Sequence, residues 1–105
     1  MALVNVQPGI CGFPAQITAT ADEDLQVNIK IQSGCPAIQA MEADLQGLDA
    51  YAEVLSGWGT STVNKSATQH CHHAACPVPA GILKAIEVAA QLALPKDVVM
   101  EIRKE

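Results

Sequence analysis

The sequence predicts an α+β fold: a two-layer sandwich with a small, mostly antiparallel sheet of three to four strands and two to three helices packed on one face. Three observations predict it. Residues 16–32 and 98–104 alternate apolar and polar with the period of a strand, whereas 36–48 and 82–94 carry the period of a helix. Half of the 105 residues are hydrophobic, yet only Phe13, Tyr51 and Trp58 are aromatic, so the core must be built from Ala, Val, Ile and Leu. The order strands, helices, helix, strand suits an α+β arrangement better than βαβ repeats. The length suits a single domain spanning 1–105.

Taken in order, Leu3, Val4 and Val6 form a short apolar start closed by the turn dipeptide Pro8-Gly9. The β-branched stretch QITATA at 16–21 and the polar turn ADED lead into QVNIKIQ. There Val27, Ile29 and Ile31 point one way and Gln26, Asn28, Lys30 and Gln32 the other, which predicts a half-buried antiparallel hairpin. After Ser33-Gly34, Ile38, Met41, Leu45 and Leu48 fall at helical spacing behind Pro36, a residue suited to a first helical turn. Gly47 ends or bends that helix, and Asp49 is placed to cap a second one carrying Tyr51, Val54 and Leu55. Residues 56–69, rich in glycine and hydroxyls, show no period and predict a long loop. ILKAIEVAAQLAL is apolar on most sides and predicts a buried helix, after which VVMEIRK alternates as a last strand.

Eleven acidic residues against six basic ones give a formal charge of −5, with no basic stripe to neutralise phosphates or an anionic membrane. No apolar run approaches the ~20 residues of a bilayer span, and MALVNVQPG lacks the basic and apolar regions of a signal peptide. The expectation is a cytoplasmic protein with no nucleic-acid or membrane partner, in which a protein partner or a homodimer is compatible with the composition.

In a reducing compartment, four cysteines point to a metal site or redox thiols rather than disulfides. Each lies at a junction, not within an apolar stripe: Cys11 in GICGFP, Cys35 in SGCPAI, and Cys71 and Cys76 in HCHHAACPVP. Cys35 and Cys76 each precede a proline and then a helix, where unpaired N–H groups favour the thiolate that ligates metal or attacks a disulfide. Cys71-x4-Cys76 is not the CxxC of a zinc knuckle or thioredoxin-like motif. Histidines could add a ligand, with His70 and His72 ahead because they flank Cys71.

The segments GICGFPAQITATADEDLQVNIKIQSGCPAIQA and HCHHAACPVPAGILKAIEVA resemble the iron–sulfur-cluster scaffold domain of the IscU/NifU type and the small TSCPD domain. Cys11-Gly12, Gly34-Cys35-Pro36-Ala37-Ile38 and His70-Cys71 match the scaffold motifs in order, and Ala75-Cys76-Pro77 resembles the TSCPD cysteine. The resemblance implies an α+β fold whose three or four cysteines converge on one metal or cluster site. Phe13 stands where scaffold domains place an aspartate thought to keep the cluster labile, which points away from cluster donation.

The leading expectation is therefore a metal-binding protein with Cys11, Cys35, Cys71 and Cys76, and His70 or His72 beside them, holding Zn²⁺ or an iron–sulfur cluster. One alternative is a thiol redox protein cycling Cys71 or Cys35 with Cys76. The other is an interaction module in which the cysteines are incidental and Trp58 is the anchor. No G-x-S-x-G, P-loop, G-x-G-x-x-G or H-E-x-x-H is present, so there is no hydrolase logic; a nucleophile pair of Cys71 or Cys76 with His72 or His73 is conceivable, but spacing alone does not show it.

Overall fold

The computed structural model describes residues 1–105. Strands β1 (Ala2–Val6), β2 (Ala15–Ala21), β3 (Gln26–Ser33) and β4 (Leu48–Asp49) form one antiparallel sheet in the order β1-β2-β3-β4. Four α-helices complete the fold: α1 (Pro36–Ala40), α2 (Ala50–Leu55), α3 (Thr62–His70) and α4 (Val78–Ala89); a 3₁₀ turn (Met41–Asp44) follows α1. The predicted α+β class is the observed one.

The hairpin forms as its alternation dictates. Ile17 faces Ile31 and Ala19 faces Ile29 across the β2–β3 pair, all four buried, while Gln16, Asn28, Lys30 and Gln32 are exposed. Asp22 closes the turn by accepting the N–H groups of Asp24 and Gln26. Helix α4 lies over the inner face of β1 and β2, burying Ile82, Ala85 and Ile86. The inner face there mixes Ala2, Ala15 and Ala19 with Val4, Val6 and Ile17, and Gly81 lets the helix come close to the larger three. A Cβ added to Gly81 would fall 2.6 Å from Cγ2 of Val6. A Gly81→Ala variant should therefore lose about 1–3 kcal/mol from overpacking, against roughly 1 kcal/mol of helix propensity gained. Urea unfolding measures the net loss; a midpoint at or above the parent's would show that this contact is not tight.

Three expectations are corrected. Ile38, Met41, Leu45 and Leu48 are all buried, but they do not share one helix: α1 ends after five residues and Leu48 belongs to β4. The reason is that this segment covers the edge of β3. Glu42 accepts the Ile31 N–H, Gln39 bonds both Ser33 N–H and Ile31 C=O, and Gln46 donates to Ile29 C=O. Gly47, at φ +64°, ends the segment, and its N–H donates to Asn28. Second, residues 62–70 are not loop but helix α3, held at its start by the Ser61 hydroxyl and the Glu53 carboxylate rather than by an apolar stripe. Third, residues 98–104 form no strand: α4 ends in a Schellman turn with Gln91 at φ +62°, and the chain beyond Leu94 is exposed throughout. The alternation there is real, but no strand of the same chain lies beside it.

Candidate cysteine site

The register of the sheet gathers the four cysteines at one end of the molecule. Val6 pairs with Ala15, and Ala15 with Ser33, so the β1–β2 turn carrying Cys11 and the β3–α1 junction carrying Cys35 emerge side by side. Phe13 confirms the contact: its ring lies 3.3 Å from where a Cβ of Gly34 would be. The first turn of α4, which follows Cys76, sits over Val6 at the same end through Gly81.

Each cysteine is presented differently. Cys11 is exposed in a turn closed by the Gly12 N–H donating to Gly9 C=O, with both glycines at positive φ. Cys35 is the N-cap residue of α1, packed partly against the core, and its side chain makes no capping bond. Cys71 caps the C-terminus of α3 and its thiol donates to His73 C=O at 3.6 Å. The Cys76 N–H donates to the same carbonyl, so residues 71–76 form a tight loop that brings the two thiols together. All four are free thiols.

Cys76 is the centre of the group. Burial pushes its thiol above the ordinary cysteine value; the Val78 N–H, donated to its sulfur, opposes this, and the neighbouring Cys71 and Cys11 thiols push it further up. Two separate segments, the Cys11 turn and the 71–76 loop, thus place sulfur within electrostatic reach of Cys76. Cys35 stands at the same end but is not among the groups acting on Cys76. No three His, Cys, Asp or Glu side chains are arranged at ligating distance of a single ion.

The histidines separate. His70 is the last residue of α3 and its Nε2 lies 3.1 Å from Asp44 Oδ2, which also accepts the Ser66 hydroxyl at 2.8 Å. His72 and His73 are exposed on the loop. Asp44 and Ser66 were not singled out by the sequence, because they come together only when α3 docks on the 3₁₀ turn, 22 residues away. The Ser66 hydroxyl holds the Asp44 carboxyl below its usual value; burial opposes it, and the His70 hydrogen bond and charge add smaller effects on the side of Ser66. Its contribution to stability is present above the unfolded-state value of 3.8 and is lost as pH falls through the folded one. Asp44→Asn should therefore flatten the fall in urea midpoint between pH 6 and pH 3; an unchanged fall would show that the contact is not coupled to folding. Trp58 is 97% exposed and covers no part of the core.

Compared with known proteins, residues 2–102 match the model of a family of unknown function, DUF6951. No curated protein and no solved structure matches the chain. None of the helices is long and apolar enough to cross a membrane.

Proposed function

The chain belongs to the DUF6951 family, and from its own site we propose that it is a small metal-binding protein in which Cys11, Cys71 and Cys76 supply sulfur to Zn²⁺ or an iron–sulfur cluster. Cys35 is the fourth ligand on this reading, in keeping with the IscU/NifU-like and TSCPD-like resemblance. One observation carries it: the Cys76 thiol is within electrostatic reach of both Cys71 and Cys11, and Cys11 comes from a different segment of the fold. Three crowded thiols cannot ionise together cheaply, and a cation is what lets them do so. The exposed turn around Cys11, with Gly9 and Gly12 at positive φ, would supply its sulfur to the ion. The ion itself would supply cross-linking of the three segments and, if a cluster, electron storage.

The test is anaerobic purification followed by reconstitution with Zn²⁺ or with iron and sulfide, read by metal analysis and visible absorbance. About one metal ion or one cluster per site is expected. Cys76→Ser and Cys71→Ser should each weaken binding by at least ~100-fold, whereas His72→Ala should leave it intact. A protein that takes up neither metal ends this reading.

A second reading is favoured by the contact between Cys71 and Cys76: the pair exchanges with a substrate disulfide, becoming a disulfide itself while the substrate is reduced to two thiols. The raised Cys76 thiol makes Cys71 the attacking group. Loss of exactly two titratable thiols on mild oxidation, restored by reductant and abolished in Cys71→Ser, would favour this over metal binding.

A further inference from the structure

The sheet has two edges, and they are treated differently. The β3 edge is covered by Gln39, Glu42 and Gln46 and extended by the two residues of β4. The β1 edge is bare: no loop backbone and no side chain bonds to Ala2–Val6 outside its ladder with β2. Its sequence, ALVNV, has no charge, proline or bulge of the kind that protects an edge from pairing. The same chain carries a segment with the opposite defect. Val98, Val99, Met100 and Ile102 are 69–89% exposed, alternate with the period of a strand, and have no partner. The only side-chain hydrogen bond or ion pair of the segment is the local Arg103–Glu101 pair.

We propose that residues 98–102 are the fifth strand of the sheet, added to the β1 edge of a second copy of this chain, each copy giving its tail to the other. The lengths match, five residues against five. The pattern matches as well. With Val98, Met100 and Ile102 on the side of Val4 and Val6, the apolar triplet extends the face that α4 covers. Val99, Glu101 and Arg103 then join Leu3 and Asn5 on the open face. A second copy is the occupant because the tail is exposed from Leu94 onward and pairs with no strand of its own chain. The family match, over residues 2–102, spans both the edge and the tail. Exchange of this kind closes on itself with two-fold symmetry and pairs the β1 edge of both copies. The proposal is independent of the metal reading.

The experiment measures mass by sedimentation equilibrium and amide exchange by NMR on the full chain, with a V98D/M100D variant beside it. A dimer is expected, with slow exchange at residues 98–102 and at alternate residues of β1. In a mixture of labelled and unlabelled chains, contacts between tail methyls and β1 amides should be intermolecular. V98D/M100D should raise the dimer dissociation constant roughly 100-fold or more while leaving the circular dichroism of the body unchanged. A monomer with a fast-exchanging tail overturns the proposal. So does a monomer with a protected tail, which would mean the strand folds onto its own chain, or a dimer indifferent to V98D/M100D.

Discussion

In urea, a Glu53→Ala variant will unfold about 2–4 kcal/mol more easily than the parent protein. Glu53 sits on α2 with 6% of its surface exposed, and its two carboxylate oxygens accept the N–H groups of Thr62 at 3.0 Å and Val63 at 2.9 Å. Together with the Ser61 hydroxyl, which takes the Asn64 N–H at 3.0 Å, it satisfies the first N–H groups of α3. Alanine leaves two of them without partners beside the buried Val63 side chain, and removes a negative charge from the helix N-terminus. Glu53→Gln, which keeps one acceptor oxygen, should lose about half as much. Because α3 ends at Cys71, the loss extends to the cysteine site: the Thr62 and Val63 amides should exchange faster and Cys71 should react faster with a thiol reagent. An unchanged midpoint and unchanged thiol reactivity would show that α3 stands without Glu53.

The second large effect is the pH dependence of metal affinity. Every cysteine that ligates must first give up its proton, and in Cys76 burial and the two neighbouring thiols hold that proton more tightly than usual. Below the thiol values, affinity should rise about tenfold per pH unit for each thiol proton displaced, so four ligating thiols approach about ten-thousandfold between pH 6 and pH 7. Competition of Zn²⁺ against a chromophoric chelator measures the slope, and Cys76→Ser should reduce it by one proton. The metal-free protein has the opposite dependence. A thiol raised in the fold contributes stability while protonated, and that contribution is lost as pH rises above the unfolded-state value. Metal should therefore stabilise the protein most where the metal-free form is weakest, at alkaline pH. A zinc affinity independent of pH would exclude thiolate ligation.

How much was legible in the sequence depended on the range of the forces. The β2–β3 hairpin was legible because its alternation and its Asp22 turn are local, and Asp49 was legible as a cap because it bonds residues two and three positions on. Helix α3 was not, since TVNKSATQH has no apolar stripe and its decisive cap, Glu53, is nine residues upstream. The segment 36–48 departs from its pattern for the same reason: its buried residues follow a helical spacing, but Gln39, Glu42 and Gln46 are drawn to the open edge of β3. The four cysteines were found as junction residues, and Cys11 and Cys35 were joined to Cys71 and Cys76 only through a resemblance.

By itself, the sequence determined the class of the fold, the hairpin, the buried face of α4 and the candidate cysteines, because periodicity and turn chemistry are written in neighbouring residues. Tertiary structure decided which thiols meet. The register that sets Val6, Ala15 and Ser33 side by side brings the Cys11 and Cys35 turns together, and the docking of α4 over Val6 brings Cys76 to the same end. It also decided that His70 turns to Asp44 and that the alternating tail finds no strand of its own chain. Each of these is a pairing between segments far apart in the chain, and a pairing is fixed by the geometry of packing, which spacing along one segment does not contain.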